Sequence, residues 1–151
     1  MYTLVLDLHS WLRWLALAAG ILATVGALSA SDAGRSRRAD TWGMVFIMVL
    51  DIQLLLGLLL YLVLSPFTRE AFNDFAAAMK NAGLRFFAVE HLTLMLAAVL
   101  VAHLGRVLAR KAKTPEAKRG RLLICFGLAT LLMIIGIPWP GLAAGRPLFR
   151  I

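Results

Sequence analysis

The chain has 151 residues, of which 61% are hydrophobic and 16% charged, and its mean hydropathy is +0.82. A water-soluble domain of this size cannot bury so much apolar surface, so the composition predicts an integral membrane protein. The net charge of +8 would suggest nucleic acid for a soluble protein. In membrane proteins Lys and Arg gather in cytoplasmic loops, and we therefore predict no nucleic-acid partner. The single cysteine, Cys125, excludes a disulfide framework within the chain.

Four apolar stretches follow one another along the chain, each at or beyond the about 20 residues needed to cross the hydrocarbon layer. They extend over about 3–30, 41–64, 84–108 and 122–142. The N-terminus lacks the basic segment that opens a signal peptide, so we interpret the first stretch as a retained span. We predict an all-α membrane protein with a single domain over 1–151, built as an up-down-up-down bundle of four transmembrane helices in the lipid bilayer.

Charge sets the expected orientation of this bundle. Ten of the 16 Lys and Arg lie at 32–40 or 106–121, around the first and third connections, which the positive-inside rule assigns to the cytoplasm. Both termini and the middle connection are then expected on the periplasmic side of a bacterial inner membrane. The middle connection carries Phe72, Phe75 and Met79 at helical spacing. This predicts an amphipathic helix at about 67–80 that covers the bundle, with a solvated connector as the alternative.

Ionisable residues inside the spans indicate function, because each costs about 2.5–3.5 kcal/mol on insertion. His9 is six residues into the first span and His91 seven into the third, so both lie roughly 10 Å below the outer edge. The first and third helices of such a bundle lie on one diagonal, where two imidazoles could reach a ligand between them. Haem iron takes two axial ligands on opposite faces, so His9 and His91 are the predicted metal ligands of one haem b.

Four further residues fall near the same level and are predicted to bind the cofactor. Gly57 and Gly136, on the second and fourth spans, would allow a porphyrin to approach the backbone closely, although small residues also serve helix packing. Arg13, one helical turn from His9, and Arg85 could neutralise haem propionates.

A second polar layer lies toward the cytoplasmic ends of the second and third spans. Asp51 and His103 are expected there as a buried carboxylate–imidazole pair. His103 is twelve residues from His91, about 18 Å along a helix and on another face, so these two histidines cannot bind one iron. A zinc site formed by histidines with Glu90, and a proton relay through Asp51 and His103, are alternatives that no motif supports.

Several stretches of the sequence occur in an order that is fairly specific. They are His-Ser-Trp-Leu-Arg-Trp at 9–14, Gln-Leu-Leu-Leu-Gly-Leu-Leu-Leu-Tyr at 53–61, Met-Lys-Asn at 79–81 with Arg-Phe-Phe-Ala-Val-Glu-His at 85–91, and Ile-Pro-Trp-Pro at 137–140. Over nearly the whole chain this order resembles a family of small four-span bacterial membrane proteins labelled cytochrome B. The resemblance implies haem, with histidines at His9 and His91. Where the family often has a second-span histidine before the glutamine, this chain has Asp51.

These features predict a membrane-bound, b-type cytochrome-like electron carrier whose partner is a quinone or a redox protein. The sequence has no hydrolytic triad, phosphate loop or metal-ligand motif, so no catalytic residue and no enzymatic activity are predicted. The alternative is a cofactor-free structural or accessory subunit of a larger membrane complex, in which the polar residues form interhelical hydrogen bonds. A homo-oligomer is a further alternative for the partners of this chain. Ion or proton conduction along Asp51, Gln53 and His103 is a weaker alternative for its function.

Overall fold

The computed structural model of the protein describes residues 1–29 and 33–149, with the backbone alone at 33–36, and this part of the chain contains no strand. Within these ranges the chain forms seven α-helices and two π-helical turns. They are α1 (Tyr2–Ser29), α2 (Ala33–Leu59) with its π turn (Leu60–Leu64), α3 (Pro66–Asn73), α4 (Phe75–Lys80), α5 (Ala82–Arg85), a second π turn (Phe86–Glu90), α6 (His91–Arg110) and α7 (Pro115–Gly136).

The four long segments are each long and apolar enough to cross a membrane. Around the bundle, α1 packs against α2 and α7, while α6 packs against α7 and, less closely, against α2. Helices α1 and α6 therefore lie on one diagonal. The predicted fold class is confirmed: this is an all-α four-helix bundle of a multi-pass membrane protein.

Two spans extend further into the basic connections than hydropathy predicts. Helix α2 is already helical at Ala33, and α7 begins at Pro115 because Thr114 caps it, its hydroxyl oxygen accepting from the Ala117 N–H at 3.2 Å. Helix α7 ends at Gly136, six residues before the predicted end, where Pro138 follows within two residues. The predicted end of the first span, at residue 30, lies outside the described residues.

The end of the bundle with the first and third connections is called the basic end here. Asp40 joins α2 to the other helices at this end, with its carboxylate 2.5 Å from Lys118 Nζ and 3.6 Å from Arg106 Nη1. Just above it the core is densely packed. Phe46 and Phe126 are fully buried and meet edge to face with ring centroids 5.7 Å apart. Alanines fill many of the remaining helix contacts, which lets the helices approach one another closely in this half.

The opposite end, called the capped end, is covered by the middle connection and by residues 137–149. The predicted single helix at 67–80 is instead two helices, because Asp74 interrupts it and caps α4, its carboxylate accepting from the Ala77 N–H at 2.9 Å. The connection packs onto the bundle through buried Ala71 and Ala78. Residues 137–149 fold back over α1, where Arg13 and Trp14 both donate to the Leu148 carbonyl, at 2.8 and 3.1 Å.

The two π turns lie beside each other at the capped end. In each turn a backbone N–H donates to a carbonyl five residues back, from Ser65 to Leu60 and from His91 to Phe86. The Tyr61 hydroxyl in the first turn donates to the Ala88 carbonyl in the second at 2.8 Å. Side chains thus satisfy carbonyls where the α-helical ladder is interrupted, which is the usual requirement at membrane depth.

Candidate functional site

Two histidines from helices on opposite corners of the bundle meet in its interior. The rings of His9 on α1 and His91 at the start of α6 have centroids 6.3 Å apart and planes inclined by 74°. The depth argument predicts this pairing, since two helices that run in the same direction and have a uniform rise bring residues at equal depth to one level. The structure brings the two predicted ligands together.

The His91 ring is held in a defined orientation. Its Nδ1 is 2.7 Å from the carbonyl oxygen of Gly136, so this nitrogen carries the proton and donates it. The rings of Phe86 and Phe87 lie 5.9 and 6.4 Å from the imidazole. In a neutral imidazole the other nitrogen, Nε2, then keeps its lone pair. Metal-ligating histidines characteristically donate their second ring nitrogen to a backbone carbonyl in this way.

The His9 ring packs between α1 and α2 and has weaker polar contacts. A Cβ added at Gly57 would lie 3.2 Å from His9 Cε1, so the glycine makes room for this ring. Gln53 Nε2 donates to the His9 carbonyl at 2.9 Å and stands 3.4 Å from the ring Nε2. Within the described part of the chain, His9 Nδ1 and Gln53 Oε1 are buried without a hydrogen-bond partner. A buried polar atom without a partner is uncommon in a folded protein, and both of these residues line the cavity described next.

A cavity of about 140 Å³ adjoins both histidines. Its lining is mostly apolar and comes from all four long helices and from both segments of the capped end. The polar and aromatic lining residues are Tyr2, His9, Ser10, Arg13, Gln53, Tyr61, Ser65, Phe67, Thr68, Phe87, His91 and Arg146. The middle connection contributes Ser65, Phe67 and Thr68, so it covers this cavity, as one of its two predicted interpretations requires.

The arginines are arranged differently from the prediction in one respect. Arg13 lines the cavity, but Arg85 is absent from its lining and pairs with Glu90, its Nε donating to the carboxylate at 2.7 Å on an exposed surface. Arg146 takes a place at the cavity that the sequence did not predict. Its guanidinium lies over the rings of Phe67 and Phe87, 4.5 and 5.1 Å from their centroids.

The predicted glycines each accommodate a side chain in the structure. Gly57 faces His9, as described above. At Gly136 an added Cβ would lie 2.3 Å from Met95 Cε and 3.3 Å from Leu94 Cβ, so this glycine lets α7 approach α6 and aligns its carbonyl with His91. Their contact with a porphyrin stays a prediction.

The second polar layer forms as a pair but is not buried. His103 Nε2 and Asp51 Oδ1 are hydrogen-bonded at 2.9 Å across α6 and α2. The two side chains are 47% and 46% exposed, and neither lines the cavity. The expectation of a buried pair is therefore wrong in this respect, because α2 and α6 are the neighbouring helices that pack least closely.

Among the described residues, no group of three or more His, Cys, Asp or Glu side chains is placed to hold a metal ion. The alternative of a zinc site with Glu90 receives no support, since that carboxylate pairs with Arg85. No protein-family model, curated protein or solved structure matches the chain.

Proposed function

We propose that the protein is a membrane-bound b-type haem protein that holds one haem through His9 and His91. The observation that carries the proposal is the internal pair of imidazoles beside a cavity, with the Nδ1 proton of His91 donated to the Gly136 carbonyl. A haem bound by two histidines supplies reversible one-electron transfer. The protein would therefore act as an electron carrier and not as an enzyme.

The separation of the two rings supports this group. Metal–imidazole bonds are about 2 Å long and each ring centre lies about 1 Å behind its nitrogen, so two imidazoles that hold one metal ion would have centroids roughly 6 Å apart. The observed separation is 6.3 Å. His91 Nε2 has its lone pair available, and His9 has no strong hydrogen bond at either ring nitrogen.

The cavity at the two histidines is smaller than a haem. A cavity of about 140 Å³ is close to the size that accepts benzene, and a porphyrin is several times larger. Room for it requires the helices and the capped end around the cavity to stand further apart than in the structure.

Other residues of the chain have distinct roles in this site. Arg13 and Arg146, at the cavity near the capped end, offer guanidinium groups to carboxylates of a bound group. Arg146 is positioned by its stacking on Phe67 and Phe87, and Gln53 positions His9 through its backbone carbonyl. The residues of the capped end limit the access of water to the cavity.

We also propose that the protein lies in a bacterial inner membrane with the basic end in the cytoplasm. The support is the positive-inside rule, since the basic end carries Arg106, Lys118 and the other cations of the first and third connections. The capped end would then be periplasmic, and the histidine pair would exchange electrons near that face with a quinone or a redox protein.

The test is the visible spectrum of the purified protein after reduction with dithionite. We expect a sharp band at about 560 nm, as for six-coordinate b haem. His91→Ala should abolish the band, and the matched control His103→Ala, which alters a histidine outside the cavity, should keep it. A colourless wild-type protein, or a band that survives His91→Ala, would refute the proposal.

A further inference from the structure

The hydrogen-bonded pair of Asp51 and His103 lies on the surface of the bundle at the depth of the hydrocarbon. Asp51 is eleven residues beyond Asp40 on α2, about 16 Å along the helix from the basic end, and thirteen residues before Leu64, about 20 Å from the other end of the span. Each side chain of the pair is nearly half exposed. Lipid tails offer no hydrogen bonds, so this surface needs a polar partner.

The surface around the pair is apolar along both helices. On α2 and α6 the positions at −7, −3 and +4 from the pair are exposed hydrophobic residues. They are Met44, Met48, Leu55, Leu96, Leu100 and Val107. Lipid covers such side chains as well as a protein does, so they do not themselves require a partner. The polar pair in the middle of this stripe does require a partner.

Charge determines which hydrogen bonds the pair still offers. In hydrocarbon a pair with no net charge is favoured over one with a net charge. One proton then lies between Asp51 Oδ1 and His103 Nε2, whether it belongs to the acid or to the imidazole. In both cases His103 Nδ1 carries a proton to donate, and Asp51 Oδ2 keeps lone pairs to accept.

A donor and an acceptor side by side are complementary to their own copy turned by a two-fold axis. In such an arrangement His103 Nδ1 of each chain donates to Asp51 Oδ2 of the other, and both polar atoms of both chains are satisfied. A single polar site within an apolar helix face is also a known device for fixing register and partner number.

We propose that this face of α2 and α6 is a homodimer interface in the membrane, closed by a reciprocal Asp51–His103 network. The two helices contribute one apolar stripe each, and the four polar side chains lie at the centre. The interface is separate from the cavity, so it does not rest on the haem proposal.

The test uses the purified full chain in vesicles of phosphatidylethanolamine and phosphatidylglycerol. In a Cys125→Ser background, Met48→Cys places a thiol on the proposed interface, and Leu128→Cys places one on exposed α7 as the control. A short bis-maleimide should link the chains carrying Met48→Cys into dimers and leave the Leu128→Cys chains single. Equal linkage at both positions, or none at Met48→Cys, would overturn the proposal.

The polar network has its own test in the same background. Asp51→Leu and His103→Leu should each weaken the dimer about tenfold in dissociation constant, which corresponds to two interhelical hydrogen bonds of average strength in a bilayer. The exchange Asp51→His with His103→Asp keeps the donor and the acceptor and should restore linkage. Circular dichroism checks that all variants stay helical. Undiminished linkage in the single variants, or a failure of the exchange to restore it, would contradict the network.

Discussion

A methyl group added at Gly57 should weaken cofactor binding without weakening the fold. In the structure an added Cβ at this position lies 3.2 Å from His9 Cε1, so the imidazole must shift by a few tenths of an ångström. The His9 ring is bounded on another side by Gln53 and meets His91. We therefore expect the ring to rotate away from its preferred angle, which costs about 0.5–1.5 kcal/mol. The dissociation constant of haem should rise roughly two- to twelve-fold.

The same substitution has the opposite effect on the helix. Alanine is about 1 kcal/mol more favourable than glycine within a helix. This gain is about as large as the cost of moving the His9 ring, so the free energy of unfolding of Gly57→Ala should change by less than about 0.5 kcal/mol, while haem binding falls. Gly57→Leu adds three more carbon atoms toward the His9 ring and should abolish binding.

The assay is titration of the purified apoprotein with haemin in detergent, followed by thermal unfolding of the same samples. Gly127→Ala is the matched control, because its added Cβ meets only Thr24 Cγ2, at the ordinary contact distance of 3.6 Å. It should leave the affinity for haem unchanged. The reasoning fails if Gly57→Ala binds haem as tightly as the wild type does, or if Gly127→Ala loses as much affinity.

Two further predictions concern the fold and its orientation. Phe46→Ala should lower the free energy of unfolding by about 3–5 kcal/mol, because it empties a fully buried site against Phe126, whereas Ile124→Ala, at a position 69% exposed on α7, should change it by less than about 0.5 kcal/mol. Denaturant titration in micelles measures both, and similar losses would speak against the core described above. Alkaline phosphatase fused after Asp74 should be active and after Lys113 inactive, since only the capped end is expected in the periplasm; the reverse pattern would invert the proposed orientation.

The bundle and the meeting of His9 with His91 could be predicted because both follow from uniform helix geometry. Hydropathy locates the spans, alternation of direction sets the diagonal, and counting residues sets depth. Helix ends were less predictable. The cap at Thr114 starts α7 seven residues before the apolar stretch, and the cap at Asp74 divides the expected amphipathic helix, since local hydrogen bonds decide where helices begin.

The positions of the arginines could not be predicted from helix geometry. Arg146 follows Gly136 by ten residues of irregular chain that includes Gly141 at a φ of +90°. No periodicity relates such a segment to the spans, so its return to the cavity could not be read from spacing. The pairing of Arg85 with Glu90 depends on side-chain direction near a π turn, which hydropathy does not report.

The π turn at Phe86–Glu90 separates the direction of His91 from the exact length of the chain in that segment. One residue corresponds to about 100° of rotation in an α-helix, and this turn takes up one residue more than an α-helical turn would. A deletion within it would let the helix close as an ordinary α-helical turn and would leave His91 on nearly the same face, whereas a deletion within an α-helical part of the span would turn the residues beyond it by about 100°. Over evolutionary time this segment can therefore accept the loss of one residue, and a gap there in a related sequence would be consistent with a retained histidine pair.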